Sequence, residues 1–420
     1  MLDNSIWPAK DYSRVPFRLY HDQEVYDLER ERIWRGPLWS FLGFDAEIPK
    51  VGDFRTSFIG DIPVVYNRGD DGKVYGFVNR CAHRGSTVRR EAYGNAADHT
   101  CIYHRWCYDK KGGLIGVPFR RGVKGQGGLD PAFDQAKHGL EKIRIESWHG
   151  ILFATFSDKT EPLEQYLGGP MSNMLARIMS RPVKILGYQR QRIKGNWKLY
   201  CENTRDQYHG SLLHQFHMKF GITRVTQKGG AWMDTRHRHS ISYTREDTDA
   251  QDSAGAIAAY ADQKVAESDF QLKDQGILGY KQEFDDGVSL AICSIFPNGT
   301  FQQIRNSMAA RQVRPRGMDE FELYWTIFGY EGDDDELEMH RLLQTNMIGP
   351  AGFISMEDGE AVEIAHRATT LEGEACSIIE MGGGGKIPDE ITFKVSDVPL
   401  RGFWSYYAEM MGIEPEGGIR

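Results

Sequence analysis

Two short segments restrict this chain more than anything else in it: Cys81-Ala82-His83-Arg84-Gly85 and Cys101-Ile102-Tyr103-His104-Arg105-Trp106, which place two Cys/His pairs within 24 residues. Two hairpin-like tips, each offering one thiolate and one imidazole, can converge on a metal, and four such residues that merely pack would be an uneconomical coincidence. The other cysteines, Cys107, Cys201, Cys293 and Cys376, add no framework spacing, and six cysteines in 420 residues is not a disulfide density. A structural zinc is the competing reading. Zinc fingers draw both thiolates from one tight turn and both imidazoles from another, whereas each tip here carries one of each. Mixed tips suit a [2Fe-2S] cluster with two thiolates on one iron and two imidazoles on the other.

The tips sit in a stretch that reads as short strands, at residues 54–59, 62–66, 74–79 and 150–156, separated by Gly, Asp and Asn turns. Before it, residues 22–35 place Val25, Leu28, Ile33 and Trp34 at helical spacing among charges. After residue 158 the types mix: strands are expected at 183–193, 288–296, 301–306 and 320–329, and helices at 163–178, 335–345 and from 403. The acidic run 333–336 fits a helix N-terminus, and the glycine run 382–385 reads as a loop. The polar stretch 246–275, with an Ala-rich helical turn near 254–261, reads as a surface excursion. The chain is therefore expected to be α+β in three parts: 1–37, a helical segment packing on the C-terminal domain; 38–157, the β domain of the tips; and 158–420, built on one large antiparallel sheet.

A second constellation follows Asn196-Trp197-Lys198, where Asp206, His209 and His214 stand in a D-x-x-H-x(4)-H pattern. On an ideal helix residues five apart lie about 140° apart, so both histidines can face one metal only if the helix bends or ends near Gly210. Asp206, three residues before His209, can reach that ligand's free ring nitrogen. His217 departs from the spacing and is read as pocket lining, and His237 and His239, in an RHRH run, as solvated.

C-x-H-R-G followed by C-x-Y-H-x-W-x-Y-D resembles the Rieske cluster motif of ring-hydroxylating oxygenases, and the second constellation resembles their mononuclear iron motif. Val15-Pro16-Phe17, Gly52-Asp53-Phe54, Gly116-Val117-Pro118-Phe119, Gly349-Pro350-Ala351-Gly352-Phe353 and Arg401-Gly402-Phe403-Trp404 extend the likeness over nearly the whole chain. The resemblance is to large α subunits acting on aromatic carboxylates: terephthalate, anthranilate and ortho-halobenzoate dioxygenases and salicylate 5-hydroxylase. It implies an all-β Rieske [2Fe-2S] domain held by Cys81, His83, Cys101 and His104, and a helix-grip catalytic domain, a curved antiparallel sheet around a long helix. It implies Fe(II) on His209, His214 and a downstream aspartate. Three acids crowd the matching segment, Glu357, Asp358 and Glu360, and only the resemblance selects Asp358. It further implies that Asp206 bridges His209 to a cluster histidine of the neighbouring subunit, here His104, in a head-to-tail trimer, with a small β subunit (α3β3) or without one (α3). Electrons are implied to come from NADH through a separate reductase, alone or with a ferredoxin; no flavin or nicotinamide fingerprint is visible in the chain.

Oxidising the ring of an acid requires an apolar pocket with a fixed cation for the carboxylate. The segment 301–311, read as one strand, puts Arg305 and Arg311 on the same face, six residues apart. Lys394 lies where relatives contribute a cation, although some carry Arg there, and a lysine is a point charge instead of a fork. The candidates carried forward are Arg311 and Lys394. The expected activity is hydroxylation of an aromatic carboxylate with O2, as cis-dihydroxylation or monohydroxylation; the alternative is a Rieske electron carrier without oxygenase activity. The net charge, 51 − 59 = −8, leaves no basic footprint for nucleic acid or anionic lipid. The start, Met1-Leu2-Asp3-Asn4-Ser5, carries no basic-then-apolar leader and no apolar run reaches a membrane span, so a cytoplasmic location away from membranes is expected.

Overall fold

The computed structural model describes residues 6–7, 10–246, 258–261, 272–371, 375–413 and 415, so the first half of the Ala-rich turn at 254–261 and most of the 246–275 excursion lie outside the described residues. The chain forms two compact units, one of residues Trp34–Leu163 and the other of Met1–Ile33 with Glu164–Arg420.

The second of these starts with β1 (Arg14–Pro16), which pairs antiparallel with a strand near the other end of the chain, Cys376–Ile378. Helix α1 (Gln23–Glu29) follows, capped by Asp22 Oδ1, which accepts from the backbone N–H groups of Glu24 and Val25.

The Trp34–Leu163 unit is all β. Strands β2 (Ser40–Phe44), β3 (Asp53–Ile59), β4 (Ile62–Arg68), β5 (Val74–Val78), β6 (Tyr93–Asn95), β10 (Lys142–Trp148) and β11 (Ile151–Thr155) form a sheet in the order β2-β11-β10-β5-β4-β3-β6. Three very short strands, β7 (His99–Thr100), β8 (Cys107–Tyr108) and β9 (Leu114–Gly116), form a second sheet. Phe54, Val65, Phe77, Trp106, Tyr108 and Leu114 are buried together with Cys81 and Cys101, so the thiols of both tips belong to the hydrophobic core of this unit.

In the larger unit the expected helix 163–178 is divided, as α2 (Leu163–Leu167) and α3 (Gly169–Ile178), because Gly168 takes a positive φ of 71° between them. The sheet contains β12 (Val183–Ile193), β13 (Gly229–Met233), β14 (His239–Arg245), β15 (Val288–Ile295), β16 (Gly299–Ile304), β17 (Ser307–Pro315), β18 (Phe321–Tyr330) and β20 (Glu390–Ile391), in the order β12-β18-β17-β16-β15-β14-β13-β20. All its pairings are antiparallel. Helices α4 (Trp197–Asn203) and α5 (Gln215–Lys219) come between β12 and β13; α6 (Asp335–Ile348), capped by Asp334, α7 (Phe353–Thr369) and α8 (Val398–Met411) complete the unit.

One expectation is overturned here. The segment 301–311 is not a single strand: Ile304 pairs with Ser307, and Arg305-Asn306 is the two-residue turn of a hairpin, with Arg305 at φ 57°. Arg305 therefore does not share a face with Arg311; it ion-pairs with Glu246 at 3.0 Å and donates to the Gly221 carbonyl. His239 is likewise not solvated. It is fully buried, donating from Nε2 to the Tyr166 carbonyl at 2.9 Å and accepting the Phe296 N–H at Nδ1, and burial holds it neutral. No helix among the described residues is long and apolar enough to cross a membrane.

A buried acid at the end of α1 ties that helix and α8 to α4. Glu29 is completely inaccessible; Lys198 Nζ and Tyr407 Oη donate to its Oε1, both at 2.5 Å, and Trp197 Nε1 donates to Oε2 at 2.8 Å. Such a pair is tolerable in a core only because each of its polar atoms is matched.

Candidate functional site

The two tips of the β unit have the same backbone design. In each, the cysteine N–H donates to the carbonyl five residues on (Cys81 to Ser86, Cys101 to Trp106, both 2.8 Å), and the N–H four residues on returns to the cysteine carbonyl (Gly85 at 3.0 Å, Arg105 at 2.9 Å). The residue at that fourth position is left-handed in both, Gly85 at φ 74° and Arg105 at φ 58°. The second tip thus accepts in an arginine what the first obtains from glycine.

This arrangement sorts the four side chains by depth. Cys81 and Cys101 are buried, and burial together with the neighbouring Cys101 thiol pushes the Cys81 thiol up, against the hydrogen bond from Tyr108 at 3.2 Å. His83 is exposed and His104 half-exposed; their rings meet edge to face with centroids 4.6 Å apart, and His83 stacks on Trp106. Among the described residues, one His/Cys/Asp/Glu group is placed with its ligand atoms all within 4.8 Å of one another, and it is a different one. Two buried thiols beside two more exposed imidazoles suit a binuclear cluster with the thiolates on one iron and the imidazoles on the other.

That other group is His209, His214 and Asp358. Helix α4, capped by Asn196, stops at Asn203, His209 opens a single 3-10 turn (His209–Ser211), and His214 is the residue before α5. The helix has ended before either histidine, and the angular conflict of a five-residue spacing disappears. His209 Nε2 lies 3.3 Å and His214 Nε2 3.1 Å from the same oxygen, Asp358 Oδ1. Metal–ligand bonds of about 2.1 Å at right angles separate neighbouring donor atoms by about 3.0 Å, so the spacing from Asp358 Oδ1 to each imidazole fits neighbouring positions on one ion.

Helix α7 explains the choice among the three acids. Ile354, Asp358, Val362 and His366, four residues apart, are buried, while Glu360 is exposed and Glu357 half-exposed. Gly352, at the head of the helix, permits the approach, since a Cβ there would stand 2.0 Å from the Met347 carbonyl oxygen. Glu357 does not point at the common oxygen; its Oε2 accepts from His214 Nδ1 at 2.7 Å. Asp206 has the matching place on the other ligand: Oδ1 accepts the Tyr208 and His209 N–H groups, and Oδ2 lies 3.1 Å from His209 Nδ1. Each histidine thus has a carboxylate beside its Nδ1, hydrogen-bonded at His214 and in ion-pair contact at His209, which leaves Nε2 to face forward. Burial would lower the His209 pKa, but Asp206 and Asp358 outweigh it and raise it to about 10; for Asp358 the two imidazoles outweigh burial and hold the acid well below its usual range. A site with so much negative charge calls for a cation. Asn203, which sequence reasoning passed over, donates to Asp358 Oδ1 at 2.9 Å.

The three residues open on a mostly apolar cavity, with Leu290, Ile292, Ile304, Trp325, Ile348 and Ile354 among its walls. Both sequence-predicted cations line it, as does His217. Arg311, on β17, is buried; Nη1 donates to Tyr200 Oη at 2.6 Å, the guanidinium lies 4.9 Å from the Trp325 ring, Nε meets no partner among the described residues, and no described carboxylate pairs with it. Lys394, also buried, donates to Thr223 Oγ1 and the Arg224 carbonyl, at the β13–β14 side of the cavity.

Comparison with known proteins agrees with this division. The Rieske [2Fe-2S] domain model matches residues 38–126, and that of the ring hydroxylating alpha subunit (catalytic domain) matches residues 179–412. The large subunit of anthranilate 1,2-dioxygenase from Burkholderia cepacia is 46% identical over 412 residues, 97% of this chain and 95% of that protein. The terminal oxygenase component subunit alpha 2 of terephthalate 1,2-dioxygenase from Comamonas sp is 41% identical over 97% of this chain and 98% of its own. Among solved structures, naphthalene 1,2-dioxygenase from Rhodococcus sp. bound to indole superposes with a TM-score of 0.77 at 22% identity, covering 95% of this chain and 94% of that one; at this identity the likeness establishes the fold.

Proposed function

The chain belongs to the Rieske-type ring-hydroxylating oxygenase alpha subunits, oxidoreductases with a [2Fe-2S] cluster and a mononuclear iron, and from that premise we propose how its residues divide the work. Cys81, His83, Cys101 and His104 hold the cluster; His209, His214 and Asp358 hold Fe(II). The iron, when bound, supplies the open coordination positions at which dioxygen meets the ring. The protein supplies everything around that step. Asp206 and Glu357 keep Nδ1 of each histidine engaged, so that both rings face the metal. The apolar walls exclude water and orient the ring. Arg311 holds the carboxylate: Tyr200 fixes one end of its guanidinium, and the unpartnered Nε belongs to the edge left for a two-point contact. Lys394 stands at another edge of the cavity as a weaker, point-charge partner for a second polar group.

The substrate is thus an aromatic carboxylate, in keeping with the anthranilate and terephthalate named for the relatives. NADH electrons come through a separate reductase, with or without a ferredoxin. They pass from the exposed histidine side of one copy's cluster to the iron of its neighbour in a head-to-tail trimer, with Asp206, whose side chain is 21% accessible, between His104 of one copy and His209 of the next. The observation that carries the proposal is the convergence of two Nε2 atoms on one Asp358 oxygen at the wall of an apolar cavity that also contains a buried cation without a carboxylate. An electron carrier has no use for a metal face that opens on such a cavity. The test is turnover with a generic reductase, NADH and a panel of benzoates, with identification of products: oxygenated acids are expected, and reductase-dependent electron uptake without any oxygenated product would favour the carrier.

A further inference from the structure

The cavity has more polar capacity than one carboxylate uses. On β16, Gln302 is 1% exposed, and both its Oε1 and its Nε2 lack a hydrogen-bond partner among the described residues. On β14, Ser242 is 3% exposed and its Oγ is unpartnered in the same way. A buried amide with neither end paired is expensive, and native cores rarely keep one. The register shows that these groups are aimed into the cavity. Gln302 pairs with Ile292, and Ile292 with Ser242, so the three form one row across the sheet, with side chains on one face, and all three line the cavity. Their neighbour Gln303 points to the opposite face, where it accepts from Arg177.

Arg311 is on the same face. It stands directly opposite Thr300, two residues before Gln302, so the Gln302 and Arg311 backbones are diagonal neighbours about 7–8 Å apart. That is the scale of one substituted benzene ring. Resting on the reading of Arg311 as the carboxylate clamp, we propose that Gln302, with Ser242 further along the row, is a specificity subsite for a neutral hydrogen-bonding substituent on the ring, so that the substrate is an amino- or hydroxy-substituted aromatic acid.

The chemistry excludes the other common substituents. A second carboxylate at Gln302 would meet an amide and a hydroxyl, and the other cation lining the cavity, Lys394, already donates to Thr223 Oγ1 and the Arg224 carbonyl, so the buried charge would be poorly compensated. A hydrogen, methyl or halogen would leave both ends of the amide unsatisfied. A ring hydroxyl donates to Oε1 and accepts from Nε2, and a ring amino group donates to Oε1 and to the Ser242 oxygen. Sites built around such a contact discriminate strongly against analogues that lack it, because the loss strands the protein's own polar atoms.

The experiment measures Kd by calorimetry on the anaerobic, metal-replete enzyme for benzoate, the methylbenzoates, the positional isomers of aminobenzoate and hydroxybenzoate, and the matching neutral aniline and phenol. The best amino or hydroxy acid is expected to bind about ten-fold or more tightly than benzoate and the methylbenzoates. In Gln302→Met, with mononuclear iron content as fold control, that preference should largely vanish through weaker binding of the substituted acid, with benzoate unaffected or improved. Ser242→Ala should narrow the amino-acid preference more than the hydroxy one. Equal binding of all the acids by the unsubstituted enzyme would overturn the subsite and leave the Arg311 reading intact, and needs no variant to fold. A full preference retained in Gln302→Met would also overturn it. If phenol and aniline bind as tightly as their acids, the carboxylate reading fails while the subsite stands; if none of the compounds binds, both fail.

Discussion

The four proposed cluster ligands lie within 24 residues, on two turns with one hydrogen-bond pattern, whereas those proposed for the second site come from residues 209, 214 and 358 and meet because one helix ends and another buries a carboxylate. The first site is a property of local chain geometry set on a small core. The second is a property of the fold: it depends on where α4 stops and on which face α7 turns inward. The environments differ as well. The cluster tips bring their imidazoles to the surface, as a site that passes electrons requires, while the second site faces an apolar cavity, as a site that binds a ring requires.

The largest effects should come from breaking one site without the other. Asp358→Ala or His214→Ala is expected to abolish product formation and mononuclear iron while the visible spectrum of the cluster stays as in the parent. Cys81→Ser should do the reverse, losing the spectrum while metal analysis still finds iron at the second site. Loss of the cluster spectrum in Asp358→Ala would mean that the sites are not independent.

Next comes the residue placed between them. Asp206→Asn keeps the size and one acceptor oxygen but removes the charge behind His209. Both metal sites should fill and the cluster should still be reduced, while single-turnover reoxidation of the cluster and product formation slow together by orders of magnitude. Parent-rate reoxidation coupled to product would remove Asp206 from the route.

What could be read from sequence follows the same division. The tips were legible because their chemistry is compressed into adjacent turns. The histidine pair was ambiguous because a five-residue spacing has meaning only once the helix is known to end, and Gly210 pointed to an interruption that in fact begins after Asn203. Asp358 could be chosen among three acids from the stripe Ile354, Asp358, Val362, which was available in the sequence. Arg305 was misplaced because an Arg-Asn hairpin turn carries no glycine to announce it, and His239 because a run of basic residues resembles solvated chain even where a strand buries one of them. Gln302, Tyr200 and Asn203 had no signal of their own: a lone glutamine, tyrosine or asparagine becomes meaningful only when its neighbours across the sheet and helix are known.

Within the second site the smaller effects follow in order of size. Arg311→Ala strands a buried carboxylate, a loss of roughly 3–5 kcal/mol, or about 10²–10⁴-fold in KM for the acid; an equal loss on the neutral amide of the same substrate would reduce Arg311 to a structural part. Glu357→Ala removes the acceptor from His214 Nδ1 and should weaken iron binding by about 10–100-fold, read by chelator competition, with the cluster unaffected. Lys394→Ala should change KM by less than about ten-fold, since its ammonium already donates to Thr223 and the Arg224 carbonyl.

The central claim is that the two sites of one catalytic event lie on different copies of the chain, and complementation tests it directly. Cys81→Ser subunits, which keep the second site, are co-assembled with Asp358→Ala subunits, which keep the cluster, and turnover is measured with reductase and NADH. Neither variant alone should form product. In a head-to-tail ring, equal mixing gives about a quarter of the neighbouring pairs an intact cluster facing an intact iron, so about a quarter of the parent rate is expected. Mixed assemblies that contain both intact centres and yet form no product would contradict the account, because electrons would then have to pass within a single chain.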